Sequence, residues 1–212
     1  DMRKSSPAMA DALIEGLRSA PVNVIDVGMV DTSFIYFAVN HMGTCGGIMV
    51  TASHNPPQYN GFKISGLEAR PVGSGSGLEE IQRTGATLEV EDMEPTGRVE
   101  QRDLWDDYRK HIHRFLDLQR PLTVAVDASN GMGGALLPKV FEGVKNLKLL
   151  PLNFEMTGEF VHDPNPLVAE NMKPVQDLVR EHGAHLGACF DGDADRCMIT
   201  DEKGQIIGCD HL

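Results

Sequence analysis

The chain has 212 residues, a formal net charge of −12 and 41% hydrophobic residues. That length allows one large or two small domains with a sizeable core, and the acidic balance argues against nucleic acid and against anionic membrane surfaces. No apolar run of about eighteen residues occurs, so no membrane-spanning helix is predicted, and no signal peptide is visible. The chain opens on Asp1 and runs straight into Met2-Arg3-Lys4-Ser5-Ser6-Pro7, a start that reads as the middle of a domain. Cys45, Cys189, Cys197 and Cys209 are scattered and form no C-x-x-C pair. They read as reduced, mostly buried cytoplasmic thiols rather than a disulfide frame or zinc site.

Helix and strand alternate from the start. Ser5-Ser6-Pro7 opens a helix with a hydroxyl cap and a proline in its first turn, and Met9, Leu13, Ile14 and Leu17 give it one apolar face. Residues 22–27 are a strand. Asp31 caps the next helix, which turns Phe34, Ile35, Ala38, Val39 and Met42 inward and stops at Gly43. A strand ends at Val50, a short one follows over 62–65, and after the turn-rich 71–77 a short helix begins at Leu78. Acidic residues 89–100, with Pro95 and Gly97, read as a linker. Beyond it come a helix over 103–118, a strand over 122–126, a glycine-rich turn at 127–134 and a further helix. A strand over 147–152, a long loop, a helix around 168–182, a strand over 186–190 and a hairpin on Asp201-Glu202-Lys203-Gly204 complete the unit. The pattern predicts an α/β fold of two domains, 1–95 and 96–212, with mixed or parallel sheets flanked by helices.

Two stretches carry chemistry. In Thr51-Ala52-Ser53-His54-Asn55-Pro56-Pro57 a serine follows an apolar strand and precedes residues that continue neither strand nor helix. Its hydroxyl is thereby held on a rigid turn at a strand end, where α/β proteins present their chemistry. An acyl-transfer nucleophile elbow is excluded because the flanking glycines are missing. In Asp191-Gly192-Asp193-Ala194-Asp195-Arg196 three carboxylates alternate with small residues, a dense oxygen set for a hard divalent cation. An EF-hand loop is excluded: its sixth position requires glycine and holds Arg196, and both flanks read as strands. A displayed serine with a carboxylate metal loop suggests phosphoryl transfer through a phosphoserine. Gly131, Gly133 and Gly134 lack the nucleotide-binding spacing and read as a tight turn with close helix packing. His111 and His113, two apart on a helix, diverge and are not joint ligands.

The stretch from Thr51 to Pro56, continued by Tyr59-Asn60-Gly61-Phe62-Lys63, resembles the phosphoserine loop of the α-D-phosphohexomutases, and Asp191 to Arg196 resembles their magnesium loop. Within that family it looks most like the phosphomannomutase/phosphoglucomutase branch. The resemblance implies most of the first of four family domains plus the second, truncated ahead of Asp1 and ending where a missing third domain begins. It implies reversible transfer between the 1- and 6-positions of a hexose phosphate, with Mg²⁺ and a glucose 1,6-bisphosphate-type activator. It implies that Ser53 is the phosphoryl carrier and, with Asp191, Asp193 and Asp195, a metal ligand. Lys63 is favoured as general acid/base with His54 beside the phosphate, although a bracing role for His54 stays open. Arg196 stabilises the transferring charge, and Arg3 resembles an arginine entering the catalytic site. The missing third domain holds the sugar-reading loop. Phosphoglucosamine mutase shares the architecture, but Tyr59 with Phe62 looks more like the mannose/glucose branch; a non-catalytic metal- and phosphosugar-binding fragment is the remaining alternative. His162-Asp163-Pro164-Asn165-Pro166 resembles a family loop and receives no catalytic role.

Overall fold

The computed structural model describes residues 1–88 and 96–211. Its first helix, α1 (Ser6–Arg18), begins at the Ser-Ser-Pro signal, and Pro7 lies in the first turn, where its missing amide hydrogen costs nothing. The hydroxyl cap does not form. Ser5 has helical backbone angles and bonds no amide of the first turn, while the Ser6 hydroxyl is drawn to the Asp1 carboxylate. β1 (Val24–Asp26) is shorter than predicted. α2 (Thr32–Met42) begins as predicted: Asp31 is extended, and its Oδ1 accepts from the Phe34 amide at 3.0 Å. Gly43 ends the helix in the left-handed conformation.

β2 (Gly47–Val50) and β3 (Phe62–Ser65) pair antiparallel, with Val50 opposite Phe62, so the eleven-residue excursion between them is anchored at both ends. α3 (Leu78–Thr87) follows. Most of the segment read as a linker, 89–95, lies outside the described residues, but its end is structured. Val99–Gln101 forms β4, parallel to β1 with Glu100 opposite Ile25, so the backbone of this acidic stretch is used for pairing in the first half of the chain.

α4 (Trp105–His113) is shorter than the helix predicted over 103–118 and gives way to turns. β5 (Leu122–Asp127), α5 (Gly133–Phe141), β6 (Leu147–Leu152), α6 (Lys173–His182), β7 (Leu186–Phe190), β8 (Cys197–Thr200) and β9 (Ile206–Ile207) follow. They make a mixed sheet ordered β6-β5-β7-β8-β9, parallel across the first three strands and antiparallel beyond. The C-terminal ends of β5 and β7 thus lie side by side, and each hands over to a functional turn.

α6 buries Val175 and Val179 against Ala125, Cys189 and Met198 of the sheet, each such aliphatic contributing about 1.5–3 kcal/mol. A second cluster joins the halves: Leu104 and Tyr108 at α4 pack on Val30, Phe34 and Ala38 and on Val140 of α5. A third places Met2, Met132 and Ala194 together with Phe160 and Phe190. All four cysteines are free, but only Cys189 is buried, so the expectation of mostly buried thiols is corrected. Cys45 lies in a bend, Cys209 opens a short 3-10 helix, and Cys197 stands at the very start of β8. Among the described residues no helix is long and apolar enough to cross a membrane.

Asp31 is fully buried, and its Oδ2 has no hydrogen-bond partner among the described residues. Burial pushes its pKa up to about 6. A carboxyl with a raised folded-state pKa binds its proton more tightly folded than unfolded, so stability falls as pH rises from about 4 to about 6. Asp31→Asn retains a capping oxygen and removes the buried charge. We expect the variant to lose that slope and to exceed the parent above pH 6 by on the order of 2 kcal/mol, read from urea midpoints across pH.

Candidate active site

The serine loop leaves β2 at Val50. Thr51 N donates to Gly61 O at 2.9 Å, closing the loop's neck, and Asn55 N and Tyr59 N make turn bonds to Ala52 O and Pro56 O. Ser53 has φ +53°, a left-handed conformation that a serine adopts only when its surroundings impose it. Here Ser53 N donates to Thr51 Oγ1 at 2.9 Å, and Ser53 O accepts from Arg3 Nη2 at 2.8 Å. Arg3, itself buried, also donates to the carbonyls of Asn55, Pro56 and Tyr59 at 2.8, 2.8 and 3.1 Å. Its remaining donor goes to Asp1. All its donors thus hold backbone or Asp1, and none meets the serine hydroxyl.

The aspartate loop leaves β7 at Phe190. Asp191 Oδ1 accepts from the amides of Asp195 and Arg196, each at 3.1 Å, which rolls the loop around that carboxylate. Asp191 Oδ2 accepts from Ser53 Oγ at 2.8 Å across 138 residues of chain. Asp193 is held from the first half: Thr32, the opening residue of α2, donates its amide to Asp193 O at 3.1 Å and its hydroxyl to Oδ2 at 2.5 Å. Oxygens of Asp191, Asp193 and Asp195 lie within 4.8 Å of one another, the first two residues buried and the third exposed. Lys63 reaches in from β3, its Nζ 2.6 Å from both Asp193 Oδ2 and Asp195 Oδ2.

Such crowding of charge shifts the titration of Asp191, Lys63 and His54. Burial and then Asp193 push the Asp191 carboxyl up to about 6. Burial pulls the Lys63 ammonium down, but its bonds to Asp193 and Asp195 outweigh that and leave its pKa raised. This is opposite to the lowered value that makes a ready base. Burial and then Arg196 lower the His54 pKa, so the ring is neutral at pH 7, and its buried Nδ1 has no partner among the described residues. Arg196 stands at the rim, its Nε 3.8 Å from Asp191 Oδ2.

The two loops meet backbone to backbone. A Cβ on Gly192 would lie 2.3 Å from Ser53 O, and one on Gly131, in the β5–α5 turn, 2.5 Å from Gly192 O. Met132 N also donates to Gly192 O at 2.9 Å. The tight-turn reading of the glycines at 131–134 is thereby explained. Ser53, Lys63 and the three aspartates are thus brought together. His111 and His113 are elsewhere and diverge, His113 toward Val140 O and His111 toward Phe37. Thr32 was not anticipated. Its only signal is its place just after a helix cap, which says nothing of a partner 161 residues away.

Residues 1–86 match the model of phosphoglucomutase/phosphomannomutase α/β/α domain I, and residues 106–204 that of domain II. A phosphomannomutase of Escherichia coli is 38% identical over 216 residues, covering 98% of this chain and 48% of its own length. Phosphohexose mutases of Xanthomonas campestris are likewise 38% identical, over 98% of this chain and 47% of theirs. A solved phosphoglucomutase/phosphomannomutase family protein from Burkholderia thailandensis superposes with a TM-score of 0.82 at 36% identity, over 97% of this chain and 46% of its own. The chain therefore spans about half the length of the curated relatives it matches.

The glycine contact gives a clean test. Gly192→Ala must force the loops apart and is expected to cost roughly 1–3 kcal/mol. Gly16→Ala, in α1 with open space around it, is expected to stabilise by about 0.5–1 kcal/mol. Urea unfolding of the two variants should give midpoints displaced in opposite directions.

Proposed function

The chain belongs to the phosphoglucomutase/phosphomannomutase family, and from that premise we propose that it carries the phosphoryl-transfer half of a hexose-phosphate mutase. The observation that carries this reading is the 2.8 Å bond from Ser53 Oγ to Asp191. It joins the serine motif of one family domain to the aspartate motif of the next. Ser53 is the phosphoryl carrier. A free hydroxyl of a mannose or glucose phosphate attacks the phosphorus, the bond to Ser53 Oγ breaks, and the hydroxyl proton passes to a neutral Lys63. The resulting bisphosphate turns around, its other phosphoryl group returns to Ser53, and Lys63 gives the proton back. A glucose 1,6-bisphosphate-type activator would recharge Ser53.

The donors present fit Mg²⁺. All are hard oxygens, Asp193 Oδ1 is buried without a partner among the described residues, and Lys63 already lies as a cation between two of the carboxylates. Asp191, Asp193, Asp195 and a Ser53 phosphate oxygen would hold it. When bound, Mg²⁺ supplies positive charge to the transferring oxygens and relieves Lys63 of neutralising the triad. Burial of Lys63 favours its uncharged form, against the pull of Asp193 and Asp195. Arg196 at the rim adds charge to the transferring group, His54 stands beside the phosphate, and Arg3 positions Ser53 from behind. The four free thiols suit a cytoplasmic setting.

In the full-length protein Ser53→Ala should lose the added phosphate in intact-mass spectra and at least about a thousandfold in turnover. Phosphate found on Ser129 instead would overturn the assignment.

The 212-residue chain alone should turn over glucose 1-phosphate far more slowly than the full-length protein. Contacts to the non-reacting phosphate, expected from later domains, support the chemical step as well as binding. An assay with Mg²⁺ and glucose 1,6-bisphosphate checks this, and equal rates would show that no further domain is needed.

A further inference from the structure

The long connection between β6 and α6 lies outside both functional loops, yet it is fastened behind them. The β5–α5 turn grips it. Asn130 donates its amide to Asn153 O at 2.7 Å and its side chain to Glu155 O at 2.9 Å, and accepts from Val161 N at 3.1 Å. The fully buried Asp127 carboxylate accepts from Ser129 N, Asn153 Nδ2 and His162 Nε2 at 2.8, 3.0 and 3.0 Å. Between these bonds Phe160 is carried into the packed junction. Its ring comes within 3.6 Å of the space a Gly192 side chain would take, and the Arg3 guanidinium lies 5.3 Å from its centre. Gly192 abuts Ser53 O, and Arg3 holds four carbonyls of the serine loop. One segment therefore touches both the aspartate loop and the brace of the serine loop.

His162 has an unusual hydrogen-bond requirement. Its Nε2 faces a carboxylate, and its Nδ1 lies 2.9 Å from Asp163 O. Both partners only accept, so both ring nitrogens must carry hydrogen, which only the imidazolium provides. We propose that His162, held as an imidazolium, is a positioning residue whose two bonds fasten residues 153–163 across the β5–α5 turn and keep Phe160 wedged between Gly192 and Arg3, so that the serine and aspartate loops stay in register. This rests on the reading of Ser53 and the aspartates as the transfer site. The charged groups facing the ring are Asp127 from the end of β5 and Asp163 beside it. The bond to Asp127, outweighing burial, raises the His162 pKa. A group with a raised folded-state pKa contributes its stability below the unfolded value and loses it as pH rises through the folded one. The latch is therefore closed below the folded-state pKa of His162 and loosens as pH rises through it.

The test follows the His162 ring by NMR in the 212-residue chain, using His162→Gln to assign the signal. Alongside it are measured amide exchange, corrected for intrinsic rate, and Mg²⁺ affinity. The ring should titrate above ordinary imidazole. Through that titration the Val161 and Met132 amides should exchange about tenfold faster, as expected for loss of a charge-assisted bond, and Mg²⁺ affinity should fall. His162→Gln should show the loosened amide exchange at every pH and bind Mg²⁺ more weakly than the parent below the ring's titration, and His162→Lys, a cation that does not titrate in this range, should keep the parent's low-pH amide exchange across it. A ring titrating at or below the ordinary value would overturn the proposal. So would a His162→Gln variant in which Val161 loosens while Met132 exchange and Mg²⁺ affinity match the parent. If the parent binds no Mg²⁺ while Met132 still loosens with titration, the reading of the aspartates fails and the latch stands.

Discussion

Two loops 138 residues apart meet backbone to backbone at a point that leaves no room for a side chain on Gly192. The contact of Ser53 O with Gly192, and of Gly192 O with Gly131, stacks three backbone turns with no room for a single methyl group. Everything chemical follows from that closeness. It lets Ser53 Oγ reach Asp191 and lets Lys63 reach from β3 into carboxylates that belong to the far half. It also explains why so much of the surroundings is bracing. Arg3 behind the serine loop, Thr32 beneath Asp193 and the packing of Phe160 each hold one side of a contact that has no slack.

Electrostatically the site cannot rest as three bare carboxylates. Asp193 and Asp195 draw the Lys63 ammonium between them, and burial with the charge of Asp193 makes Asp191 hold its proton more tightly than usual. The protein thus answers the charge of its triad with its own cation and with a raised proton affinity at Asp191. Both are linked to the protonation states of the groups around them.

The chemistry was more legible in the sequence than the bracing. Ser53, Lys63 and the aspartates announce themselves because proline, glycine and carboxylate spacings are local signals, and so does the cap at Asp31. The helix ends were less so. Ser5 has the right residue type for a cap, but the nearby Asp1 takes the Ser6 hydroxyl and the turn forms without capping. Acidic residues such as Glu100 read as linker because composition reports solvent exposure, whereas a parallel edge strand needs only free backbone groups, which any sequence offers. Thr32 and Arg3 act on partners far along the chain, and no local pattern encodes such a distance. The raised pKa of Lys63 was equally hidden, because the two carboxylates that close on it stand some 130 residues away.

The left-handed backbone at Ser53 has a further consequence, for which residues can hold this position at all. Threonine offers the same hydroxyl and, in solution, the same phosphoester chemistry. Its β-branch, however, crowds the following carbonyl at positive φ, where branched side chains are rarely tolerated. Glycine and asparagine accept the conformation but bring no hydroxyl. The fold thus narrows the chemical alphabet before reactivity is considered. A threonine exchange that looks conservative on paper would have to unwind the turn that places the oxygen, and serine remains the one hydroxyl amino acid that fits both backbone and task.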